Sequence, residues 1–194
     1  RFVLYAPTWR DGEPDPAAPS PAQWARILEV LRDHDAVLLV RSHPLGVKEY
    51  APRTEGSSNR VRNLGSGIMH DVTPALPGID VLVTDYSSLA FDVGLNETPV
   101  VYLAPDVAMY GTRRGFYGRY EEPAGAAYAT DWDEAVSGVA AILADVVTQR
   151  ERSARSKALS ARAHAFRDGR NTERVYDLVI ETLAREDAAI QKAK

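Results

Sequence analysis

Cysteine is absent from all 194 residues. The chain therefore has no disulfide, no thiolate metal site and no thiol nucleophile, and a cytoplasmic location fits that absence. Long apolar runs are missing too, since none approaches the ~20 residues a membrane span needs. Charge of one sign does not dominate. There are 23 Lys and Arg against 27 Asp and Glu, a net charge of −4, which argues against nucleic acid as a partner. No His/Asp/Glu spacing suggests zinc, and no Ser-His-Asp order stands out. Internal repeats and low-complexity tracts are likewise lacking. The sequence has no starting Met or leader and runs from Arg1 straight into a strand-like segment, so it reads as a fragment of a longer protein.

What is present is the composition of a globular domain long enough for one α/β core. Phe2–Ala6, Ala36–Val40, Ile79–Thr84 and Val100–Leu103 are short apolar runs that predict buried strands, with Arg60–Asn63 a shorter one. Ser20, Pro21 and Gln23 form a capping-box start for a helix whose Trp24, Ile27, Leu28 and Leu31 share one face. Helices are also expected near Thr73–Leu76, Ser87–Leu95, Asp131–Val147, Glu151–Phe166 and Thr172–Arg185, and 105–128 reads as a long irregular loop. Strand and helix alternate, which predicts a Rossmann-like parallel sheet with helices on both faces, as one domain over 1–194 with C-terminal helices in 150–185.

Ligands of open α/β sheets bind beyond the carboxyl ends of the strands. Three strand exits carry polar clusters: Thr8, Arg10 and Asp11 after the first, Arg41, Ser42 and His43 after the second, and Thr84, Asp85, Ser87 and Ser88 after Val83. Ser87 and Ser88 fall where a helix begins, a place whose free amides favour an anion; the plainer reading is that Ser87 only caps the helix. Asp85 is placed to orient the turn or bond a ligand hydroxyl, and Asp92 to lie two helical turns on. His43 is restricted by Pro44 and has the chemistry of a general base or, protonated, of a phosphate donor. Arg10, Arg41, Arg113 and Arg114 are candidates for neutralising a diphosphate. Arg113–Tyr117, with Gly115 as its flexible element, either closes over a ligand or anchors the loop through its aromatics. Gly65-Ser66-Gly67 is half a phosphate loop, a weak signal. Arg150–Arg174 carries eight Lys or Arg against three Asp or Glu. That stretch reads as a solvated helix face or as a site of attraction to an anionic membrane or polymer.

Taken together, Leu4–Asp11, Arg41–Pro44, Asp80–Ser88, Phe91-Asp92, Thr98–Val100, Arg114–Tyr117 and Asp168-Gly169 resemble the CDP-glycerol glycerophosphotransferase family, the teichoic-acid primases and polymerases. The resemblance implies the C-terminal, donor-binding half of a GT-B-type glycosyltransferase fold, with an N-terminal acceptor domain outside this chain. It also implies transfer of glycerol-phosphate or ribitol-phosphate from CDP-glycerol or CDP-ribitol to a hydroxyl of a teichoic-acid or capsule-type polymer, releasing CMP. By that likeness His43 is the residue needed for activity, and Ser87, Ser88 and Arg114 hold the diphosphate. The isolated fragment would be inactive, because a partner histidine lies in the missing half. No cofactor is required, and there is room for a divalent cation on the diphosphate. The acceptor would be an anionic polymer or a lipid-linked one, with the enzyme peripheral at the inner face of the cell membrane. Val72–Ile79, with two prolines and Gly78, departs from the leucine-rich helical segment usual in the family. Two other readings stand beside this one: a GT-B enzyme using a UDP-linked sugar, and a nucleotide-binding module without catalysis.

Overall fold

The computed structural model describes residues 1–10, 13–41, 50 and 59–192, except the side chains of 187, 188 and 190–192. The chain divides into two compact units, Arg1–Ala161 and Arg162–Lys194. In the first, five parallel strands form one sheet: β1 (Phe2–Ala6), β2 (Val37–Val40), β3 (Val61–Asn63), β4 (Val81–Thr84) and β5 (Val100–Tyr102), in the order β3-β2-β1-β4-β5. Parallel pairing needs crossovers. The first is α1 (Pro21–Asp33), which starts as expected: the Ser20 hydroxyl accepts from the Gln23 amide while the Gln23 side chain accepts from the Ser20 amide.

Side chains alternate across the sheet, and the alternation sorts the core into two layers. Val3, Tyr5, Leu38, Val40, Val81, Val83 and Val101 pack with Trp24, Ile27 and Leu31 of α1 and with Trp132, Val136 and Val139 of α5 (Trp132–Ala144). Leu4, Ala6, Leu82, Val100 and Tyr102 face the other way, onto Leu76, Ala90, Val93, Tyr120 and Leu159. Tyr5 meets Trp132 edge to face at 4.8 Å, an arrangement suited to ring quadrupoles.

Several boundaries differ from the sequence reading. The prolines of Thr73–Gly78 leave a 3-10 turn rather than an α-helix, because Pro77 has no amide to continue the ladder. The segment after β4 shortens to α2 (Leu89–Val93), followed by a 3-10 turn to Asn96. The stretch 105–128 is not irregular throughout: it contains α3 (Val107–Arg113) and α4 (Glu121–Ala124). One helix expected to reach Val147 ends at Ala144, because the Asp145 carboxylate takes the amides of Val147 and Thr148 and starts α6 (Val146–Ala163). In the second unit α7 (Asn171–Lys192) outruns its expected end at Arg185, and Asp168 before it is gripped by Arg174. Among the described residues no helix is long and apolar enough to cross a membrane.

Gly94 marks a close approach inside the first unit. A β-carbon there would lie 2.4 Å from the Ser156 carbonyl oxygen and 2.6 Å from the Ser160 β-carbon, so α6 sits against the Gly94 backbone. Gly94→Ala should lower stability by ~1–3 kcal/mol through overpacking, read as an earlier midpoint in urea unfolding. An unchanged midpoint would contradict this packing.

Candidate functional site

The strand order reverses direction between β1 and β4, and this is where an open α/β sheet has its crevice. Register brings Ala6 beside Thr84, so the segments leaving both strands start side by side. Thr84 is fully buried, and its hydroxyl donates to the Ala6 carbonyl at 2.6 Å. One residue on, the Asp85 carboxylate accepts from the Thr8 amide at 2.8 Å and from the Tyr86 amide at 2.6 Å. A single carboxylate thus fixes the first turn of both exits. The Tyr120 hydroxyl closes over it, donating to the Asp85 carbonyl at 3.1 Å. The Thr8 hydroxyl oxygen is buried with no partner among the described residues.

Arg10 links this turn to the exit of β5. Its Nη2 donates to Asp85 at 2.9 Å and to Asp106 at 3.0 Å, its Nε to Asp106 at 2.9 Å, and its Nη1 to the Thr8 carbonyl. The guanidinium lies 5.0 Å from the Tyr86 ring centre and 4.9 Å from that of Tyr110, and those rings stack at 4.0 Å. The Tyr86 hydroxyl also donates to Asp106 at 2.8 Å. Phe116 joins the stack beside Tyr110 and Tyr120, so the aromatics of that loop anchor it, while Tyr117 stays in solvent.

The carboxylates flanking Arg10 are driven in opposite directions. At Asp85 burial favours the neutral acid, and the offset from Arg10, Thr8 and Tyr86 is incomplete, leaving its pKa raised. Burial acts the same way on Asp106, but the hydrogen bonds from Arg10 and Tyr86 outweigh it and hold its pKa below the ordinary 3.8. For Arg10 burial opposes the charge, yet the bond to Asp106 and the fields of both carboxylates raise its pKa further.

Two clefts flank this partition. One, of about 450 Å³, is lined by Pro7, Trp9, Arg41, Ser87, Ser88 and Asp92, among others. The amides of Ser87 and Ser88 have no partner among the described residues, and the Ser87 hydroxyl accepts from the Leu89 amide at 3.2 Å. Arg41 reaches the wall while donating to the carbonyls of Leu64, Met69 and His70. The other cleft, of about 340 Å³, is lined by Arg10, Glu13, Asp106, Tyr110, Arg113 and Arg114. Arg113 pairs there with Glu13, and Gly115, at φ 77°, ends α3 behind it.

The structure thus gathers Arg41, Ser87, Ser88 and Asp92 at one cleft and Arg10, Arg113 and Arg114 at the other, whereas Thr8, Thr84 and Asp85 line neither, Thr84 and Asp85 being buried at the β4 exit. His43 and Asp11 lie outside the described residues. Sequence reasoning missed Asp106, Tyr86, Tyr110 and Tyr120 as site builders. Inspecting the exit of β5 as well as those of β1, β2 and β4 would have exposed Asp106. Among the described residues no group of His, Asp and Glu converges as a metal site.

An all-parallel 3-2-1-4-5 sheet with its crevice at the β1/β4 switch defines a Rossmann-like α/β domain of the GT-B type. The chain belongs to the CDP-glycerol:poly(glycerophosphate) glycerophosphotransferase family, whose model matches residues 1–181. It is 34% identical over 126 residues to the teichoic acid glycerol-phosphate transferase of Staphylococcus aureus, an overlap of 63% of this chain and 31% of that one. With the teichoic acid ribitol-phosphate primase of Bacillus spizizenii it shares 27% over 179 residues, covering 91% and 43%. The solved wall teichoic acid polymerase TagF superposes with a TM-score of 0.69 at 26% identity, over 96% of this chain and 44% of that one. A TagF variant soaked with CDPG gives 0.68. An S. aureus MnaA–UDP structure gives 0.59 at 16% identity, a likeness of fold alone. The chain spans less than half the length of these relatives.

The opposed carboxylates give a pH signature. Asp106 is held below its unfolded value of 3.8, so its contribution to stability is complete above that value and is lost as pH falls through the lower folded one. The stability gap between wild type and Asp106→Asn should therefore be widest near pH ~6 and shrink below pH ~4, measured by urea unfolding. A gap that does not change with pH would contradict the assignment.

Proposed function

We propose that the parent protein transfers a polyol-phosphate from a CDP-linked donor, CDP-glycerol or CDP-ribitol, to a hydroxyl of a teichoic-acid or capsule-type polymer, and that this chain is its donor-binding half. The observation that carries the reading is the open cleft at the β1/β4 switch, which Ser87, Ser88 and Arg41 line together. Such a concavity suits a diphosphate, since amides and hydroxyls supply donors without needing to reorganise. Family membership and the CDPG-soaked TagF structure favour cytidine over uridine.

In this reading the acceptor oxygen attacks the donor's β-phosphorus in line. The new P–O bond forms as the bond to the bridging oxygen breaks, CMP leaves, and the acceptor's proton passes to His43 acting as general base. Ser87, Ser88 and Arg41 hold the diphosphate, with Arg113 and Arg114 on the neighbouring wall beside Gly115. Thr8, Arg10, Thr84 and Asp85 fix the strand exits, and Asp92 borders the cleft. A divalent cation would share the charge neutralisation if one binds with the donor. The acceptor half and its partner histidine belong to a preceding domain, and contact with an anionic polymer or the inner face of the cell membrane completes the proposal.

Calorimetry on this chain should find CDP and CDP-glycerol bound at least ~10-fold more tightly than UDP, a gap of ~1.4 kcal/mol; preference for UDP would replace the donor assignment. In the parent enzyme, His43→Ala should lower turnover by ~100-fold or more, the scale of a lost general base, with CDP affinity retained. Unchanged turnover would remove His43 from the mechanism.

A further inference from the structure

Arg10 is a cation lining the cleft next to the one proposed to bind an anion, and a direct phosphate contact would be its simplest use. Its geometry argues otherwise. A guanidinium has five N–H donors. Nε and both donors of Nη2 go to Asp85 and Asp106, and Nη1 donates to the Thr8 carbonyl, leaving one N–H on Nη1. The side chain is only 10% exposed, between carboxylates 5% and 6% exposed. Tyr86 and Tyr110, stacked on each other, lie together on one side of it, with ring centres 5.0 and 4.9 Å away. Two carboxylates neutralise one cation, so little attraction is left for a phosphate.

The same contacts join three strand exits. Arg10 leaves β1, Asp85 leaves β4, and Asp106 follows β5 and immediately precedes Val107–Arg113. We infer that Arg10 is a positioning residue: it bridges Asp85 and Asp106 so that the Tyr86–Ser88 turn and the helix bearing Arg113 keep one fixed spacing, and it does not itself contact the donor. Lysine cannot replace it, because a single ammonium cannot span two carboxylates with planar, paired bonds. The effect on ligand affinity rests on the proposed donor site; the effect on local order does not.

The test compares wild type, Arg10→Lys, Arg10→Met and Gly94→Ala in this chain, the last being destabilised where Gly94 packs on Ser156 and Ser160 rather than at the Arg10 contacts. Amide hydrogen exchange without ligand reports local order, and CDP calorimetry reports the site. In Arg10→Lys, exchange of the Thr8 and Tyr86 amides and across Val107–Arg113 should rise by on the order of tenfold, CDP affinity should drop about tenfold, and the near-ultraviolet circular dichroism of the tyrosine stack should weaken. Gly94→Ala should leave all three at wild-type values despite its lower stability. If Arg10→Met does not fold, the lysine variant alone carries the comparison. Lost CDP affinity with wild-type exchange in Arg10→Lys would overturn the inference by making Arg10 a direct ligand contact. Wild-type exchange and affinity together would overturn it as well. Raised exchange in a protein that binds CDP in no form would uphold the positioning role and reject the donor site.

Discussion

The Asp85 carboxylate, almost wholly buried at 4% exposure, is the constraint on which the switch point depends. Two chain segments leave neighbouring parallel strands there, and among the described residues the Thr8 and Tyr86 amides have no backbone acceptor. A buried amide without an acceptor is costly. Asp85 supplies the acceptor for Thr8 and Tyr86 at once, and Arg10 supplies the charge that makes a carboxylate tolerable in that place. Asp106 then balances Arg10 and brings in the exit of β5. The order of dependence runs from the buried acid outward to the arginine, the second acid and the tyrosine stack.

This arrangement gives the Pro7–Arg10 segment a role as a wall. Pro7 and Trp9 face the cleft that holds Ser87 and Ser88, whereas Arg10 faces the cleft that holds Arg113 and Arg114. One short stretch thus serves both clefts. The division explains why cationic residues of similar chemistry end up in different settings. Arg10 and Arg41 are held by acceptors of the protein itself, with Arg41 tying the Leu64–His70 carbonyls together. Arg113 pairs with Glu13 at the exposed rim. In the proposed transfer, Arg10 shapes the cleft, while Arg41 and the rim arginines meet the ligand.

Much of this was legible in the sequence. The β1 and β4 runs, the Ser20 capping box and the parallel sheet follow from period and punctuation, because burial on both faces leaves continuous apolar strands. The family likeness was carried by strand-exit motifs, and the match over residues 1–181 bears it out. Other features were not legible. That Asp145 splits one expected helix into two depends on a cap competing with an apolar stripe, and stripe periodicity says nothing about caps. The aromatic stretch 105–128 looked loop-like because its partners, Tyr86 and Arg10, are distant in sequence. Asp106 drew no notice for the same reason: its role exists through Arg10, 96 residues away, and Tyr86, 20 residues away. Local pattern finds elements, whereas ion triads are long-range and leave no period.

The most direct measurement is a crystal structure of this chain with CDP-glycerol bound. The diphosphate oxygens should lie within ~3 Å of the Ser87 and Ser88 amides, with the Arg10–Asp85 and Arg10–Asp106 pairs intact. A diphosphate bound elsewhere, or one that draws Arg10 away from its two carboxylates, would contradict that arrangement.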